Sequence, residues 1–500
     1  EEKEINKKDM EVLYLGNLNT VEFNLNLPKK GKYGSEIIWK SGHERFLDSE
    51  GNVKRPPYGT GDRTISLWAT FCAGGVTEEK EYKVCILEEK PQIVVESVEE
   101  PELEAQAGVQ VYLPYVAVIH TRDGKTLVHR INWKEGAQRV YERVGNFREE
   151  GMLDGLDFPV FCKVTVKKEI QKVEKNTEPL IGYFDHGEAV LEEGSRFYTA
   201  QEEMQEFLLQ MDDDRMLYNF REASGLDVKG AEPMTGWDAP ECHLKGHTSG
   251  HYLSALALCY KAGGNKTIKE KACYMIEELG KCQDAFEKIP GIRKGFLSGY
   301  PEDQFDKLEE YTPYPEIWAP YYTLHKIFAG LLDCYEFVGI DQALEIAVKL
   351  GEWVYRRLSG LPREKRMKMW GMYIAGEYGG MNDVMARLYR ITGKKEFLET
   401  AGYFDNEKLF LPMEKGIDAL ENLHANQHIP QVIGAMEIFR ASGEKRYYDI
   451  ASYFWKAVTE SHLYTIGGTG ENEMFHGPGC IGNLLTKHTA ESCASYNMLE

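Results

Sequence analysis

The stretch Leu256-Ala-Leu-Cys-Tyr260-Lys-Ala-Gly-Gly264-Asn-Lys-Thr-Ile-Lys-Glu-Lys-Ala272 carries a pattern that recurs three more times along the chain. An aromatic residue is followed four positions later by glycine, and eight positions after that glycine by alanine. Each glycine lies where a helix should end, in the left-handed conformation that glycine adopts at little cost, and the alanine lets the next helix approach closely. The pattern therefore predicts four successive helical hairpins. The further copies are Tyr335-Gly339-Ala347, Tyr389-Gly393-Ala401 and Phe439-Gly443-Ala451.

The residues before each hairpin indicate how the hairpins are arranged. Polar, ring-bearing and glycine residues precede the first helix of each one. An open solenoid would scatter such residues, whereas a closed α/α toroid gathers the starts of its inner helices around one mouth. We therefore predict a toroid whose mouth suits a sugar, because aromatic faces stack on sugars while His, Asn and Glu bond their hydroxyls. The four stretches are Gly246-His-Thr-Ser-Gly-His251, Tyr321-Tyr-Thr-Leu-His325, Gly379-Gly-Met-Asn382 and His424-Ala-Asn-Gln-His428.

The part of the chain before the hairpins reads as β structure. Val21–Leu27 alternates apolar and polar residues, and further short apolar runs follow turn signals through residues 1–90 and again through 91–170. This spacing predicts two small β-sandwiches. The charged stretch 167–178 is predicted to be the linker to a helical domain at 178–500.

Two groups of phrases in the β part resemble bacterial immunoglobulin-like modules. Such modules are usually spacers or adhesive units of extracellular enzymes, which favours an extracellular or cell-surface location. The predicted fold is thus a multidomain one, with two all-β immunoglobulin-like sandwiches followed by an all-α toroid. The phrases are Gly34-Ser-Glu-Ile-Ile-Trp-Lys-Ser41 with Asp48-Ser-Glu-Gly-Asn-Val53, and Leu113-Pro114 with Ile131-Asn-Trp133 and Gly145-Asn-Phe147.

Composition excludes several classes of protein. The 500 residues are 42% hydrophobic, which argues against disorder along the whole chain. The formal charge of -21 would repel nucleic acid and anionic membrane surfaces. No apolar run approaches the length of about 18 residues that spans a membrane. The chain opens with Glu1-Glu2-Lys3-Glu4, so we expect any signal peptide to lie upstream or to have been removed.

The paired histidines leave several interpretations open. His247 and His251 are four residues apart on one helical face, but Thr248 stands where a zinc metalloprotease has glutamate. Either a capping and core hydrogen-bonding role or a polar contact to substrate fits this pair. His424 and His428 have the same spacing, so a metal site made of all four histidines is also conceivable.

Two motifs near the end of the chain carry further chemistry. Gly467-Gly-Thr-Gly470 lacks the Lys-Ser/Thr of a phosphate loop, so we expect it to bend a loop across the mouth that carries Glu471 and Glu473. Glu491 and Cys493 begin a new helix, where the helix dipole favours a thiolate and the carboxylate can share a metal with it. The alternative is a helix-starting glutamate beside a small buried cysteine.

Together these pieces resemble glycoside hydrolase family 127, the former DUF1680 group of β-L-arabinofuranosidases, from about residue 178 to the end. The resemblance implies an (α/α)6 barrel and a retaining mechanism with a cysteine nucleophile. It also implies one zinc ion, bound by a Glu-x-Cys pair and by two adjacent cysteines nearer the C-terminus. Further matching pieces are Gly236-Trp237, Trp318-Ala-Pro-Tyr-Tyr-Thr-Leu-His-Lys326, Gly330-Leu-Leu-Asp333, Ile429-Pro430, Tyr464 and Glu491-Ser-Cys-Ala-Ser-Tyr-Asn-Met-Leu499.

The resemblance also suggests roles for individual residues. Glu491 and Cys493 match the zinc-binding pair, and Glu473 matches the catalytic acid/base better than Glu471 does. A carboxylate needs a raised pKa to donate a proton near neutrality, which we expect a partly dry mouth to supply. We expect the substrate-binding residues to be His251, His325, His424 and Trp237.

The chain departs from the family pattern in one respect. None of its ten cysteines are adjacent, and the predicted helices are fewer than the twelve that the resemblance implies. We therefore expect a catalytic domain that is incomplete at the C-terminus, with the nucleophile beyond Glu500. Nucleophilic attack by Cys480 or Cys493 is the alternative.

The sequence thus predicts a retaining glycoside hydrolase that releases terminal β-L-arabinofuranose, or a close furanoside, from plant-type glycans. Zinc is the expected cofactor and an oligo- or polysaccharide the expected partner. Two alternatives stay open, namely a different toroid hydrolase or lyase and a non-catalytic surface carbohydrate-binding protein. A reduced zinc-thiolate would favour the cytoplasm over the cell surface, and the oligomeric state is left open.

Overall fold

The computed structural model describes residues 2–16, 18–179, 184 and 187–499, so Glu1 and Glu500 lie outside the described residues. The first element is a helix, α1 (Glu2–Val12), in a region where the sequence predicts only β structure. Its anchors are polar, since the Asp9 carboxylate accepts the backbone N–H groups of Tyr33 at 2.6 Å and Ser35 at 2.9 Å. An apolar stripe is therefore missing, and hydrophobic periodicity could not reveal this helix.

The first module, residues 1–90, contains an antiparallel sheet in the order β1-β2-β3. Side chains alternate between buried and more open along these strands, as the sequence predicts. Val21–Leu27, predicted as a strand, makes only a single parallel bridge, from Val21 to Ile86. Its alternation reflects the burial of Val21, Leu25 and Leu27 in the core of the module. The strands are β1 (Glu36–Ser41), β2 (Arg63–Ala73) and β3 (Val76–Ile86).

A second β unit follows between residues 95 and 167. Six strands form one sheet in the order β4-β7-β8-β10-β11-β5, and β6 pairs with β9. The β5–β11 pair is parallel and the others are antiparallel. The strands are β4 (Val95–Val98), β5 (Glu102–Gln106), β6 (Gln110–Tyr112), β7 (Val116–Thr121), β8 (Thr126–Trp133), β9 (Gln138–Val140), β10 (Gly145–Leu153) and β11 (Pro159–Lys167).

From Arg196 onward the described elements are helices, which confirms the predicted order of β structure followed by helical structure. A π-helical segment, Cys334–Val338, extends α7. The helices are α2 (Arg196–Gln210), α3 (Asp213–Ser224), α4 (His247–Gly263), α5 (Lys266–Phe286), α6 (Asp303–Glu309), α7 (Pro320–Asp333), α8 (Asp341–Ser359), α9 (Arg363–Trp370), α10 (Met381–Thr392), α11 (Lys395–Tyr403), α12 (Glu407–Glu414), α13 (Ala425–Ser442), α14 (Lys445–Ser461) and α15 (Ser492–Leu499). Within the described ranges, no helix is both long and apolar enough to cross a membrane.

The four hairpins form at the predicted positions. Each repeat glycine has a positive φ, between 67° and 77°, and donates its N–H to the carbonyl of the aromatic residue four positions earlier, at 2.7 to 3.1 Å. The repeat alanines are buried between the paired helices. Inner helices also pack closely, since a Cβ on Gly330 of α7 would lie 2.6 Å from the carbonyl oxygen of Gly250 on α4.

The β units pack against the helical domain. The backbone N–H of Tyr115 donates to the Glu407 carboxylate at 2.8 Å, and Lys125 pairs with Glu421 at 3.0 Å. The predicted linker, 167–178, is also fixed, because Lys175 N–H donates to the Gly443 carbonyl at 2.8 Å. The linker therefore lies on the α13–α14 turn.

Candidate active site at the mouth of the helical domain

The starts of the inner helices lie side by side, as the toroid prediction requires. His325 of α7 rests on the glycines before α10, where a Cβ on Gly379 would come within 2.9 Å of its ring. Asn382 of α10 donates to the Gln431 carbonyl of α13 at 2.8 Å. Together with the contact between α4 and α7, these contacts gather the four polar stretches at one end of the domain.

Glu473 and His424 form the centre of this mouth. His424, at the start of α13, places its Nε2 3.1 Å from Glu473 Oε2. Its other ring nitrogen, Nδ1, lies 3.4 Å from Glu377 Oε1. Glu377 has little exposure, whereas the Glu473 side chain is 64% exposed and open to a ligand. The imidazole is therefore held between two carboxylates, of which only Glu473 faces outward.

The backbone of the glycine-containing loop fixes the position of Glu473. The Glu473 carbonyl accepts the N–H of Ala425 at 2.8 Å, and Met474 forms a bridge with His424. Glu473 has a φ of 67°, a strained conformation for a side chain with a Cβ, of the kind found at functional sites. Glu471 turns away and accepts a hydrogen bond from Thr486 at 2.9 Å. The loop thus carries both glutamates, as predicted, but directs only Glu473 to His424.

Charge at this centre differs from the expectation. The flanking carboxylates outweigh burial and raise the pKa of His424 to about 10. The hydrogen bond from His424 then lowers the pKa of Glu473. The prediction that the pKa of Glu473 is raised is therefore wrong. The sequence suggested only a partly water-free environment, but the His424 cation lies beside the carboxylate and favours its ionised form. The proton resides on His424.

Glu491 and Cys493 lie in the same mouth. Burial raises the pKa of Glu491, and the negative charge of Glu473 raises it further. Burial and the neighbouring Glu491 raise the pKa of Cys493, so the expected thiolate-favouring effect of the helix start does not prevail. A hydrogen bond holds α15, which carries Cys493, against the start of α13, since the Asn497 side chain donates to the Asn426 side chain at 2.8 Å.

The Glu491–Cys493 pair fits part of a zinc site. Glu491 Oε2 is buried and has no hydrogen-bond partner among the described residues, and the other interactions of this carboxylate include the Cys493 thiol. Carboxylate oxygen and thiolate sulfur are both zinc ligands. Across the described part of the chain, no group of three or more His, Cys, Asp or Glu side chains is placed to hold a metal. The chain thus offers two ligands, and a four-histidine site is not formed.

The remaining histidines have separate environments. His428 Nδ1 lies 2.7 Å from the His424 carbonyl, inside the domain. His247 lies 3.1 Å from Asp238, whose carboxylate also accepts the N–H of Gly246, just before α4, at 2.6 Å. His251 lies beside His247, with ring centroids 6.0 Å apart.

Two histidines are kept neutral. The surrounding protein and then the charge of Lys326 lower the pKa of His251, although its ring is reached by solvent, and the same two causes lower the pKa of buried His325. Lys326 Nζ lies 3.1 Å from His325 Nδ1. Neutral imidazoles of this kind can both donate and accept hydrogen bonds with sugar hydroxyls. Trp237 is 57% exposed and lies 5.7 Å from His247, so one face is open to a ligand.

Two residues of the mouth were missed by sequence reasoning. Glu377 lies before the Gly379-Gly380 stretch, and its position ahead of an inner helix could have marked it. Tyr322, within one of the quoted stretches, is half-buried near Glu377 and Cys493 and hydrogen-bonds Asn426. Cys480, by contrast, lies beside Gly477 and Pro478 on the surface.

Two of the solved structures that resemble this chain are GH127 enzymes. A GH127 β-L-arabinofuranosidase from Geobacillus stearothermophilus T6 is 15% identical, with a TM-score of 0.42 over 60% of this chain and 50% of that chain. A second GH127 β-arabinofuranosidase is 16% identical, with a TM-score of 0.43 over 59% and 47%. The chain thus spans about half the length of each. No curated protein sequence matches the chain.

Family models give a direct assignment. The model of the GH127 β-L-arabinofuranosidase catalytic domain matches residues 190–500. The model of an atrophied bacterial Ig domain matches residues 6–89, which confirms the first predicted module. The chain therefore belongs to the GH127 β-L-arabinofuranosidase catalytic-domain family, preceded by an atrophied bacterial immunoglobulin-like domain.

Proposed function

We propose that this protein is a retaining glycoside hydrolase that releases terminal β-L-arabinofuranose, or a close furanoside, from plant-type glycans at the cell surface or outside the cell. The observation that carries the proposal is the Glu473–His424–Glu377 arrangement, with its 3.1 Å contact between His424 and Glu473. It lies in the same mouth as the Glu491–Cys493 pair. The family membership supports the same class of reaction.

The proton chemistry follows from where the proton resides. His424 Nε2–H donates to Glu473 Oε2, and Glu377 stabilises the imidazolium from the other side. As the glycosidic oxygen gains charge, the proton of His424 passes along the existing hydrogen bond to Glu473 and from Glu473 to that oxygen, which leaves His424 neutral and Glu473 a carboxylate. Glu473, ionised again, then accepts a proton from the water that releases the sugar. This exchange lets a carboxylate with a lowered pKa serve as both acid and base.

Glu491 and Cys493 would hold the zinc ion. When bound, zinc keeps a thiolate ionised at neutral pH and lowers its basicity. Retention also needs a nucleophile on the face of the sugar opposite Glu473, a role that the family resemblance assigns to a cysteine later than Cys493. The exposed face of Trp237 would stack on the substrate, and His251 and His325 would bond its hydroxyls.

Replacement of Glu473 by glutamine tests this assignment. We expect Glu473→Gln to lower kcat on an oligosaccharide by about 10²–10⁴-fold, the usual contribution of a general acid or base, with the zinc content kept. The matched control is Glu471→Gln in the same loop, which should lose far less because that carboxylate faces Thr486. Undiminished turnover in Glu473→Gln would remove this residue from the role.

Assays on the intact protein also distinguish the two alternative functions, a different toroid enzyme and a carbohydrate-binding protein. Turnover that survives chelation and thiol alkylation would indicate a different toroid hydrolase or lyase. Glycan binding with no turnover would indicate a carbohydrate-binding protein.

A further inference from the structure

The first module reaches the mouth of the helical domain through Tyr14, which follows α1. The Tyr14 ring stacks on Trp318, with centroids 6.2 Å apart and planes 9° from parallel. Trp318 stands two residues before the start of α7, at the mouth. Burial raises the pKa of Tyr14, and its hydroxyl interacts with the Cys242 thiol. Tyr14 is therefore a fixed, neutral part of this wall.

Tyr14 packs on Trp318, and Trp318 in turn supports Trp237, the exposed tryptophan of the mouth. Trp318 lies edge-on to Trp237, with centroids 6.1 Å apart. Tyr14 and Trp318 also share one apolar cluster with Tyr322, which borders Cys493. A continuous aromatic wall thus runs from the first module to the candidate active site, and its outer member, Trp237, has an open face.

A second contact is made on the side of Glu473. Lys90, at the end of the first module, places its Nζ 5.7 Å from the centre of the Tyr373 ring and 3.8 Å from Glu22. The half-buried Tyr373 has its pKa raised by burial and by the charges of Glu22, Glu377 and Glu473. Tyr373 thus contacts Lys90 of the first module and lies close enough to Glu473 for the charge of that carboxylate to act on its hydroxyl. The Lys90 side chain is 75% exposed, so a ligand can reach its ammonium group while it stays beside Glu22.

We propose that the first module is one wall of the substrate cleft, where it binds the part of the glycan that leaves on cleavage. The inference rests on the proposed function, because an acid at Glu473 must touch the leaving-group oxygen. The leaving group then lies on the solvent side of Glu473, and we place Tyr373 and Lys90 along its path away from the site. The released sugar then lies on the inner side of Glu473, toward His325. In this arrangement Trp237 and Lys90 touch the glycan, and Tyr14 is a positioning residue that acts through Trp318.

The test compares two substrates on the intact protein. One is an arabinofuranosyl oligosaccharide, whose leaving group is a sugar, and the other is an aryl arabinofuranoside with a small leaving group. For Tyr14→Ala and Lys90→Ala we expect the ratio of kcat/KM on the oligosaccharide to kcat/KM on the aryl substrate to fall about tenfold, mainly through KM. Tyr14→Phe keeps an aromatic ring on Trp318, so this variant should keep the ratio of the native protein.

Matched controls lie on the solvent face of β1 in the same module. Ile38→Ala and Lys40→Ala should leave the ratio unchanged, since both side chains are exposed there. Equal losses on both substrates in the Tyr14 and Lys90 variants would overturn the proposal and leave the first module as a support only. An unchanged ratio in Lys90→Ala, which removes an exposed side chain, would also overturn it.

The proposed function and the cleft wall can fail separately. If the protein with its native sequence cleaves neither substrate, the proposed function fails. Calorimetric titration with the oligosaccharide then tests the wall directly. Affinity that falls about tenfold in Tyr14→Ala and Lys90→Ala, but not in Ile38→Ala, supports the wall; affinity that is the same in all of them overturns it.

Discussion

The two ends of the helical hairpins are built by different means. At the turn end, one glycine in each hairpin adopts a positive φ and bonds back to the aromatic residue four positions earlier, in the same way four times. At the mouth end, the segments that lead into the inner helices differ in length and sequence, and their contacts reach across the molecule. The turn end is thus a repeated local solution, whereas the mouth is assembled from distant parts.

Backbone strain follows the same division. Throughout the described residues, every non-glycine residue with a positive φ after the β units lies in a segment leading into α4, α7, α10, α13 or α15. Strain of this kind costs of order 1–3 kcal/mol per residue and persists where packing imposes it. Stability therefore comes from the turn end and the core, while the mouth carries the strain together with the chemistry. The residues are Lys229, Tyr311, Ala319, Ile374, Asn422, Asn472 and Glu473.

The largest expected effect is at the mouth, on activity. We expect His424→Gln to lower kcat/KM at pH 7 by about 10²-fold, because Glu473 loses the group that stores its proton. The basic limb of the pH profile should also move to lower pH. In the native protein the pair keeps its proton up to the pKa of His424, about 10, whereas Glu473 alone loses it near its own, much lower pKa.

His428→Gln, one turn along α13, is the control for this change. His428 is buried and its pKa is lowered to about 4, so it carries no proton to the site at neutral pH. A basic limb that stays in place in His424→Gln would show that the pair does not share the catalytic proton.

An intermediate effect is expected at the turn end, on stability alone. Gly393→Ala should lower the local free energy of unfolding of α10 and α11 by about 1–2 kcal/mol, the cost of a left-handed conformation with a Cβ. No atom lies within 4 Å of the added Cβ, so the backbone is the whole cause. Hydrogen exchange of the amides of these helices measures the change. kcat/KM should not change.

Gly402→Ala tests the same substitution within α11. There the φ is helical and the space is open, so we expect a gain of about 0.5–1 kcal/mol. If Gly393→Ala and Gly402→Ala shifted hydrogen exchange in the same direction, the result would contradict the claim that the left-handed conformation of Gly393 stabilises the turn.

The smallest effect is expected from the ion pair beside that turn. Lys394 Nζ lies 2.8 Å from Glu352, and the two side chains are 46% and 44% exposed. Lys394→Met should change the local free energy of unfolding by less than about 0.5 kcal/mol, because exposed pairs are screened by solvent. A loss as large as that of Gly393→Ala would mean that charge, and not backbone conformation, holds the turn.

Some features were accessible to sequence reasoning because they depend on neighbours along the chain. The glycine turns, the buried repeat alanines and the alternation of β1 and β2 follow from local conformation and period. The choice of Glu473 over Glu471 came from resemblance, and the loop geometry supports it. Helix α1 was missed because its anchors, Asn6 and Asp9, are polar.

The hairpins and their turns could be read from the amino-acid order alone, as could the collection of polar residues at the inner helix starts, since one glycine or one apolar period is enough to specify each. The folded arrangement was needed to show which carboxylates flank His424, where its proton resides and that Tyr14 reaches Trp318. Those properties arise when groups distant in sequence meet at a few ångströms and lose water together. The pKa of His424 and the wall formed by Tyr14 and Trp318 depend on these long-range contacts, which no local sequence pattern encodes.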